Sequence, residues 1–332
     1  MNAAPILELN QVSKRFTWRL DIASRIANLM GAGLQERAVH AVDAVDLTIR
    51  EGEVVGLVGE SGCGKSTLGR IVAGIMDASA GSMKYRGKGL AEMTPEERHT
   101  CKLAVQMIFQ DPYASLNPRM RVEDIIGEAP VAHGLIRRSE MGAYVEGLMR
   151  QVGLDPRYRK RYPHQFSGGQ RQRIGIARAL AVKPQFIVCD EAVAALDVSI
   201  QAQVLNLFMD LREQLGLTYL FISHNLSVVE HISDRVVIMY LGRVVESAPT
   251  EELFRQPNHP YTQALLAEAP RLVAERRDYT PIAGEIPSPL NPPPGCHFHP
   301  RCPHATQRCR SEAPALREIA PGRLSACHLN DR

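Results

Sequence analysis

The sequence predicts an α/β fold in which a parallel sheet is covered by helices on both faces. Three short, continuously apolar stretches have the length of strands that are buried on both sides. They are VVGLV at 54–58, FIVC at 186–189 and LTYLFIS at 217–223. Helical patterns follow or precede them at 68–76, 170–182 and about 199–215. This alternation is typical of parallel strands joined by crossover helices.

The first sixty residues are richer in strand signals. ILELNQVSKRF alternates between apolar and polar residues, and AVDAVDLTIREGEVVGLVGE reads as strand, turn and strand, with the turn at Glu51 and Gly52. Between them, residues 17–40 form an insertion with helical periodicity at Ile22, Ile26 and Leu29. Two interpretations stay open: a surface helix packed on the domain, or a helix directed at a membrane or partner.

Composition narrows the class of protein. The 332 residues are 45% hydrophobic and 23% charged, with a formal net charge of +3. This balance gives no indication of a nucleic-acid-binding surface. We expect neither a membrane span, since no apolar run approaches the required ~18–20 residues, nor export, since the first residues lack a secretory signal pattern. Seven cysteines in such a chain do not indicate a disulfide framework.

A glycine-rich segment at 59–67 matches the pattern G-x-x-x-x-G-K-[ST]. It follows the apolar strand 54–58 and opens the next predicted helix, so backbone N–H groups and the helix N-terminus can face phosphate oxygens. Lys65 would contact the β- and γ-phosphates, and Ser66 would be a hard oxygen ligand for Mg²⁺. The nucleotide-binding residues predicted here are Gly59, Ser61, Gly62, Cys63, Gly64, Lys65, Ser66 and Thr67.

Two carboxylates, Asp190 and Glu191, end the apolar strand that begins at Phe186. The carboxyl end of a parallel strand is where ligands meet an α/β sheet. Asp190 is therefore predicted to hold Mg²⁺, and Glu191 to take a proton from the attacking water as general base.

The octapeptide FSGGQRQR at 166–173 places a serine and two glycines at the start of a helix, which makes a second terminus suited to anions. With this segment the chain resembles the ATP-binding subunits of ABC transporters, whose signature motif it matches. The resemblance implies a nucleotide-binding core with an antiparallel β subdomain and a helical subdomain at about 113–175. It also implies that two subunits meet head to tail, so that Ser167, Gly168, Gly169 and Gln170 close on ATP held by the partner.

Further motifs of this family fall in order along the chain. The resemblance implies that Gln110 is the Q-loop glutamine, which contacts Mg²⁺ and faces the membrane subunit. Asp197 resembles the D-loop aspartate at the dimer interface, and His224 the switch histidine that contacts the γ-phosphate. Phe16 is the candidate for the aromatic ring that stacks on adenine.

The composition changes near residue 256. Thirteen of the 22 prolines and four of the seven cysteines lie after it, so we predict an ATP-binding domain at 5–256 and a Cys/Pro-rich extension at 257–332. The thiols of Cys296, Cys302, Cys309 and Cys327 are candidate metal ligands. Their spacing does not fit common zinc modules, and a [4Fe–4S] cluster, Zn²⁺ and free thiols all stay open. We interpret Cys63, Cys101 and Cys189 as packing residues.

The extension, together with HPYT at 259–262, resembles the C-terminal region of ATPases of oligopeptide and dipeptide importers. This resemblance implies a structural iron–sulfur cluster, ATP and Mg²⁺ as cofactors, and ATP hydrolysis that drives import of peptides or related solutes such as nickel complexes. It implies two membrane-spanning permease subunits, a second, paralogous ATPase subunit and, indirectly, an extracytoplasmic solute-binding protein. The chain would lie at the cytoplasmic face of the plasma membrane, and we expect no nucleic-acid partner.

Two other functions would require features that differ from those of an importer ATPase. A DNA-repair or chromosome-organising ATPase of the same superfamily would need a long coiled-coil insertion, a second ATP-binding half or a basic surface, and the sequence contains none of these. A regulatory or translation-linked ATP-binding protein usually carries two ATP-binding halves, whereas this chain carries one phosphate-loop motif.

Overall fold

The computed structural model describes residues 4–18, 37–111, 113–268, 282 and 284–331. Within these ranges the chain forms one sheet of eight strands and one of four. The predicted α/β class is confirmed.

The larger sheet is parallel across five adjacent strands and antiparallel across the last three. From one edge to the other the strands are β6 (Val105–Ile108), β7 (Phe186–Asp190), β8 (Thr218–Ile222), β3 (Val54–Val58), β9 (Arg235–Tyr240), β10 (Arg243–Pro249), β12 (Arg323–Ser325) and β11 (Arg317–Ala320). The three apolar stretches read from the sequence are the central strands β7, β8 and β3, in which every residue is buried.

Both faces of the parallel strands are packed. In β7, Phe186 and Val188 contribute to one hydrophobic cluster, whereas Ile187 and Cys189 contribute to another. Because successive side chains of a strand point to opposite faces, this division places one cluster on each side of the sheet. Burial on both faces explains why these strands are continuously apolar.

The described part of the chain contains ten α-helices, several of which contact strands of the larger sheet. In chain order they are α1 (Lys65–Val72), α2 (Pro95–Ala104), α3 (Val122–Ala132), α4 (Met141–Gln151), α5 (Gly168–Leu180), α6 (Val198–Leu215), α7 (Leu226–Ile232), α8 (Thr250–Arg255), α9 (Pro260–Glu268) and α10 (Gln307–Ser311). Helix α1 begins three residues before the predicted start at Leu68, directly at the phosphate loop. It ends at Val72 instead of Met76, and Gly74, two residues later, has a φ of +67°.

The predicted β-rich N-terminal part forms the smaller sheet. Its strands, in the order β2 (Arg37–Arg50), β1 (Pro5–Trp18), β4 (Ala80–Tyr85) and β5 (Lys88–Gly89), are all antiparallel. The ends of the predicted insertion at 17–40 are wrong, because β1 continues through Trp18 and β2 already begins at Arg37. The predicted helix around 22–30 lies outside the described residues.

Helices α3, α4 and α5 pack on one another and form the predicted helical part of the chain. Ile126, Val145, Met149 and Ile174 are fully buried where these helices meet. Arg159 follows α4 and pairs with both Glu123 and Glu146, which ties the connection back to α3 and α4.

The segment after residue 257 joins the main sheet. Strand β12 pairs with β10 at Glu246–Ser325 and Ser247–Leu324, and β11 pairs with β12. Proline-rich sequence opposes central strands, and this segment indeed adds the last two strands at one side of the sheet, with β11 at the edge and β12 between β11 and β10. Among the described residues, no helix combines the length and the apolar character that crossing a bilayer requires.

Candidate functional site

The glycine-rich loop lies between β3 and α1, against the backbone of two other strands. A Cβ on Gly59 would lie 2.1 Å from the carbonyl oxygen of Met239, and one on Gly64 would lie 1.9 Å from that of Ala41. Gly64 also has a φ of +104°, a conformation that disfavours other residues. The loop can follow this path only with glycine at both positions.

Lys65 begins α1, and its ammonium group lies beneath the loop. The side chain is 4% exposed, and Nζ donates hydrogen bonds to the carbonyl oxygens of Gly59 at 2.7 Å and Glu60 at 2.9 Å. A buried ammonium group held by neutral carbonyls is well placed to exchange them for phosphate oxygens.

Ser66 and Asp190 bring two hard oxygen ligands together. The Ser66 hydroxyl donates a hydrogen bond of 2.8 Å to Asp190 Oδ1. Asp190 is 4% exposed, and burial raises the pKa of its carboxyl, although the Ser66 hydrogen bond opposes that rise. A hydroxyl and a carboxylate oxygen beside a phosphate-binding loop suit the preferences of Mg²⁺, so the residues fit the ion that the resemblance implies.

Glu191 follows β7 and contacts two other residues singled out in the sequence. Gln110 Nε2 donates to its Oε2 at 2.6 Å, and His224 Nδ1 lies 3.3 Å from its Oε1. Glu191 has a φ of +48°, which is uncommon for a residue other than glycine and often occurs at functional sites. The ends of β6, β7 and β8 thus bring Gln110, Glu191 and His224 to one edge of the sheet.

Ser167 caps the N-terminus of α5. Its hydroxyl accepts from the Gln170 N–H at 3.3 Å, and Gln170 Oε1 accepts from the Ser167 N–H at 3.0 Å. Gly169 lies against α6, where an added Cβ would be 2.4 Å from Ile200 Cγ2. Within the part of the chain that the structure describes, no hydrogen bond connects this terminus to the phosphate loop.

Asp197 lies at the N-terminus of α6 and makes no side-chain capping bond there. The next residue, Val198, is 84% exposed. The signature helix and this aspartate therefore lie on neighbouring elements, since α5 and α6 contact each other.

Phe16 lies on β1 and pairs with Val39 of β2. Val39 in turn lies two residues before Ala41, whose carbonyl group packs against Gly64 of the phosphate loop. The ring is half-buried, and the ammonium group of Lys14 lies 5.5 Å from its centroid. Stacking of Phe16 on adenine stays a prediction.

The seven cysteines fall into two groups. Cys63, Cys101 and Cys189 are buried, as expected of packing residues. Burial raises the pKa of all three thiols.

The four tail cysteines are partly exposed, and burial followed by the neighbouring thiols raises the pKa of Cys296 to about 11. Across the described ranges, no group of three or more His, Cys, Asp or Glu residues is arranged to hold a metal ion. The donor chemistry of four thiols suits an iron–sulfur cluster or zinc, but their arrangement gives the expected metal site no support.

Two residues that contact the phosphate loop from outside it, Arg301 and Tyr261, carry no sequence signal for this contact. Arg301 forms a two-pronged ion pair with Glu60, at 2.8 and 3.0 Å, and the Tyr261 hydroxyl accepts from the Glu60 N–H at 3.0 Å. The one indication in the sequence is Glu60 itself, because a carboxylate inside an anion-binding loop requires a cation nearby to compensate its charge. The sequence does not indicate which of the 39 lysines and arginines supplies it.

Comparisons with known proteins agree with this geometry. The family described as "ABC transporter" matches residues 42–194, and "Oligopeptide/dipeptide transporter, C-terminal region" matches residues 245–309. The chain is 48% identical to the oligopeptide transport ATP-binding protein AppF of Bacillus subtilis, over 99% of this chain and 98% of that protein. It is 48% identical to the dipeptide transport ATP-binding protein DppF of Haemophilus influenzae, over 90% and 91% of the respective chains.

A solved structure provides a comparison of the fold. The ATP-binding cassette MJ0796, solved as a dimer in a post-hydrolysis state with ADP and Pi, superposes with a TM-score of 0.60 and 25% identity, over 74% of this chain and 98% of that one. The fold and the site define an ABC-type ATPase. The chain belongs to the ABC transporter family, among proteins that carry the oligopeptide/dipeptide C-terminal region.

Proposed function

We propose that this chain is the ATP-hydrolysing subunit that energises import of di- and oligopeptides, or of related small solutes such as nickel complexes, through a membrane ABC transporter. The observation that carries the proposal is the contact of Glu191 with both Gln110 and His224, beside the Ser66–Asp190 pair. The match of residues 245–309 to the oligopeptide/dipeptide transporter C-terminal region supports a peptide as the cargo.

Lys65 and the N-terminus of α1 hold the β- and γ-phosphates of ATP. Lys65 exchanges its two carbonyl partners for phosphate oxygens, while the loop from Gly59 to Gly64, together with Thr67, presents backbone N–H groups. Ser66, Asp190 and Gln110 supply oxygen ligands for Mg²⁺, which when bound neutralises developing charge on the phosphates. Phe16 stacks on the adenine ring.

Glu191 acts as general base for the attacking water. The water oxygen forms a bond to the γ-phosphorus, the bond from that phosphorus to the ADP oxygen breaks, and the water proton passes to Glu191. Gln110 and His224, which contact the two carboxylate oxygens, orient Glu191 and the γ-phosphate.

A second ATPase subunit, paralogous to this one, completes each pocket. Ser167, Gly168, Gly169 and Gln170 cover ATP held on the partner's phosphate loop, and Asp197 lies at the interface. The exposed α6 terminus supports this arrangement, as does the dimer formed by the related MJ0796 cassette. Closure of the two subunits on ATP provides a two-state switch.

The membrane partners are two permease subunits, which dock near Gln110 and the helical region 113–162. Exposed Phe109 and Tyr113 support this location, because they lie close to Gln110 in sequence and offer apolar surface to a partner. The chain then lies at the cytoplasmic face of the inner membrane, and an extracytoplasmic solute-binding protein delivers the cargo to the permease. The domains are 5–256, with a helical subdomain at about 113–175, and the extension 257–332.

The extension holds a [4Fe–4S] cluster on Cys296, Cys302, Cys309 and Cys327, with Zn²⁺ as the alternative. The proposal is supported by four thiols between residues 296 and 327, a donor set whose chemistry suits such a cluster. Such a centre would stabilise a segment that is too small and too rich in proline to form a core of its own.

The decisive test is reconstitution of the full chain with the membrane subunits that co-purify with it, in proteoliposomes. We expect peptide uptake that requires ATP and stops with Lys65→Ala in both ATPase subunits. ATP hydrolysis that is stimulated by DNA, and not by peptide with its binding protein, would contradict the import function and favour the DNA-repair class.

A further inference from the structure

Among the described residues, the C-terminal segment contacts the nucleotide site at Glu60. This carboxylate belongs to the phosphate loop, and both of its oxygens accept from the Arg301 guanidinium, at 2.8 and 3.0 Å. The Arg301 side chain is 4% exposed and that of Glu60 is 17% exposed. A planar guanidinium that meets a carboxylate with two parallel bonds fixes orientation as well as charge.

A second contact holds the backbone of the same residue. The Glu60 N–H donates to the Tyr261 hydroxyl at 3.0 Å, while its carbonyl accepts from Lys65. Side chain, N–H and carbonyl of Glu60 are therefore all engaged, two of them by residues from after position 257. These contacts fix the backbone path of the phosphate loop before ATP binds.

A buried scaffold positions Arg301 and Tyr261. The rings of Tyr240, Tyr261 and Phe298 form a cluster with centroid separations of 4.6 to 5.3 Å, and the Arg301 N–H donates to the Phe298 carbonyl. The motif HPYT adds a second brace, since the Tyr261 N–H donates to His259 Nδ1 and the His259 N–H donates to the Glu246 carboxylate.

Charge gives this arrangement a consequence for binding. Glu60 carries a negative charge inside a loop whose ligand is a polyanion, and repulsion between like charges in a partly buried site is strong. Arg301 neutralises that charge where it arises. Without Arg301 the carboxylate would lie unpaired beside the phosphates, with a penalty that increases with the number of phosphate charges.

We propose that the C-terminal segment is a clamp on the phosphate loop, in which Arg301 and Tyr261 hold Glu60 and thereby set the affinity for ATP. The proposal rests on the proposed role of residues 59–67 in binding the phosphates. Arg301 and Tyr261 are positioning residues, since they act through Glu60.

The test compares four variants of the full chain: Arg301→Gln, Glu60→Gln, the double variant, and Arg308→Gln as control. Arg308 pairs with Glu312 and Asp331 in the same segment, and its own side chain is about half exposed. The measurements are equilibrium titrations with ATP and with ADP, and the thermal unfolding midpoint of the unliganded chain.

We expect Arg301→Gln to weaken ATP binding about tenfold and ADP binding less, because an uncompensated carboxylate then faces the phosphates. The double variant should recover most of that loss, Glu60→Gln alone should bind ATP at least as tightly as wild type, and Arg308→Gln should not change. An Arg301→Gln protein that binds ATP within twofold of wild type would overturn the proposal. So would a double variant as weak as Arg301→Gln, which would indicate a purely structural role.

Two further variants keep the test decisive. If Arg301→Gln does not fold, Tyr261→Phe replaces it, because it removes the acceptor of the Glu60 N–H and keeps the ring. It should weaken ATP binding about threefold, the effect of one neutral hydrogen bond, and wild-type affinity would refute the clamp. Lys65→Ala distinguishes the proposed phosphate site from the proposed clamp. Normal ATP binding by Lys65→Ala would show that the phosphate site is wrong. Loss of ATP binding in Lys65→Ala, together with no effect of Arg301→Gln, would refute the clamp alone.

Discussion

Gln110 Nε2 donates a hydrogen bond of 2.6 Å to Glu191 Oε2 across the carboxyl ends of two adjacent strands, β6 and β7. The two residues are 81 positions apart in sequence. The contact matters because the Q-loop region carries the proposed docking surface for the membrane subunits. A shift of that surface would therefore reach the proposed general base through a single side chain.

The role of Glu191 predicts a separation of binding from hydrolysis. Glu191→Gln should keep ATP affinity near wild type and lower kcat about 100-fold or more, because general-base catalysis contributes that much. Phosphate release and nucleotide titration measure the two properties separately. Glu213→Gln, on the exposed side of α6, is the matched control. A Glu191→Gln complex with the wild-type kcat would exclude Glu191 as the base.

Lys65 predicts a loss of binding itself. Lys65→Ala should weaken ATP binding about 10- to 100-fold, the effect expected when a charged hydrogen-bond donor to phosphate is removed. Equilibrium titration of the full chain checks this, with the exposed Lys102→Ala as control. Equal affinities in the two variants would contradict the assignment of the phosphate site.

The packing of Gly59 predicts a paired effect on stability. Gly59→Ala should lower the free energy of unfolding by about 1–3 kcal/mol and impair ATP binding, since the added methyl group collides with the Met239 carbonyl. Gly147→Ala, in the exposed face of α4 with open space around it, should raise stability by about 0.5–1 kcal/mol. Urea unfolding measures both. Equal stability changes in the two variants would contradict the tight approach at Gly59.

His259 predicts a loss of stability in mild acid. Burial lowers its pKa to about 4, whereas an unfolded chain protonates histidine near 6.5. The unfolded state therefore binds more protons between these values, and the free energy of unfolding falls as the pH is lowered through this window, by at most about 3 kcal/mol. His259→Asn keeps an acceptor for the Tyr261 N–H and should flatten the dependence. Urea unfolding at pH 7 and 4.5 tests this, and parallel curves for the two proteins would contradict it.

The cysteine-rich extension predicts bound metal. Chain purified without oxygen should contain about four iron atoms and absorb in the visible range, and Cys302→Ser with Cys309→Ser should abolish both properties. Cys101→Ser, outside the extension, should retain the metal. Wild-type protein with neither iron nor zinc would show that the proposed centre is wrong.

The sequence predicted the parts of the site that lie next to strands. Lys65, Asp190 and His224 each follow or end a continuously apolar stretch, and parallel strands bring such ends to one edge of a sheet. Ser66 and Asp190 come into contact because β3 and β7 are parallel strands whose carboxyl ends lie at the same edge of the sheet.

The contact of Arg301 with Glu60 could not be predicted in the same way. Arg301 lies in an irregular, proline-rich segment without periodicity, and such a segment gives no direction for its side chains. Strands β11 and β12 could not be predicted for the same reason, since they are only four and three residues long and show no periodicity. Such short strands depend on pairing with a neighbour, β12 on β10 and β11 on β12, more than on their own pattern.

Arg301 follows Glu60 in sequence by 241 positions. Synthesis on the ribosome proceeds from the N-terminus. The phosphate loop is therefore synthesised long before Arg301, whose guanidinium neutralises the charge of Glu60. Strand β10 likewise waits with an open edge until β12 emerges, and open edges invite pairing with other chains. A chain terminated before Arg301 would therefore carry the Glu60 carboxylate without its cation and β10 without β12.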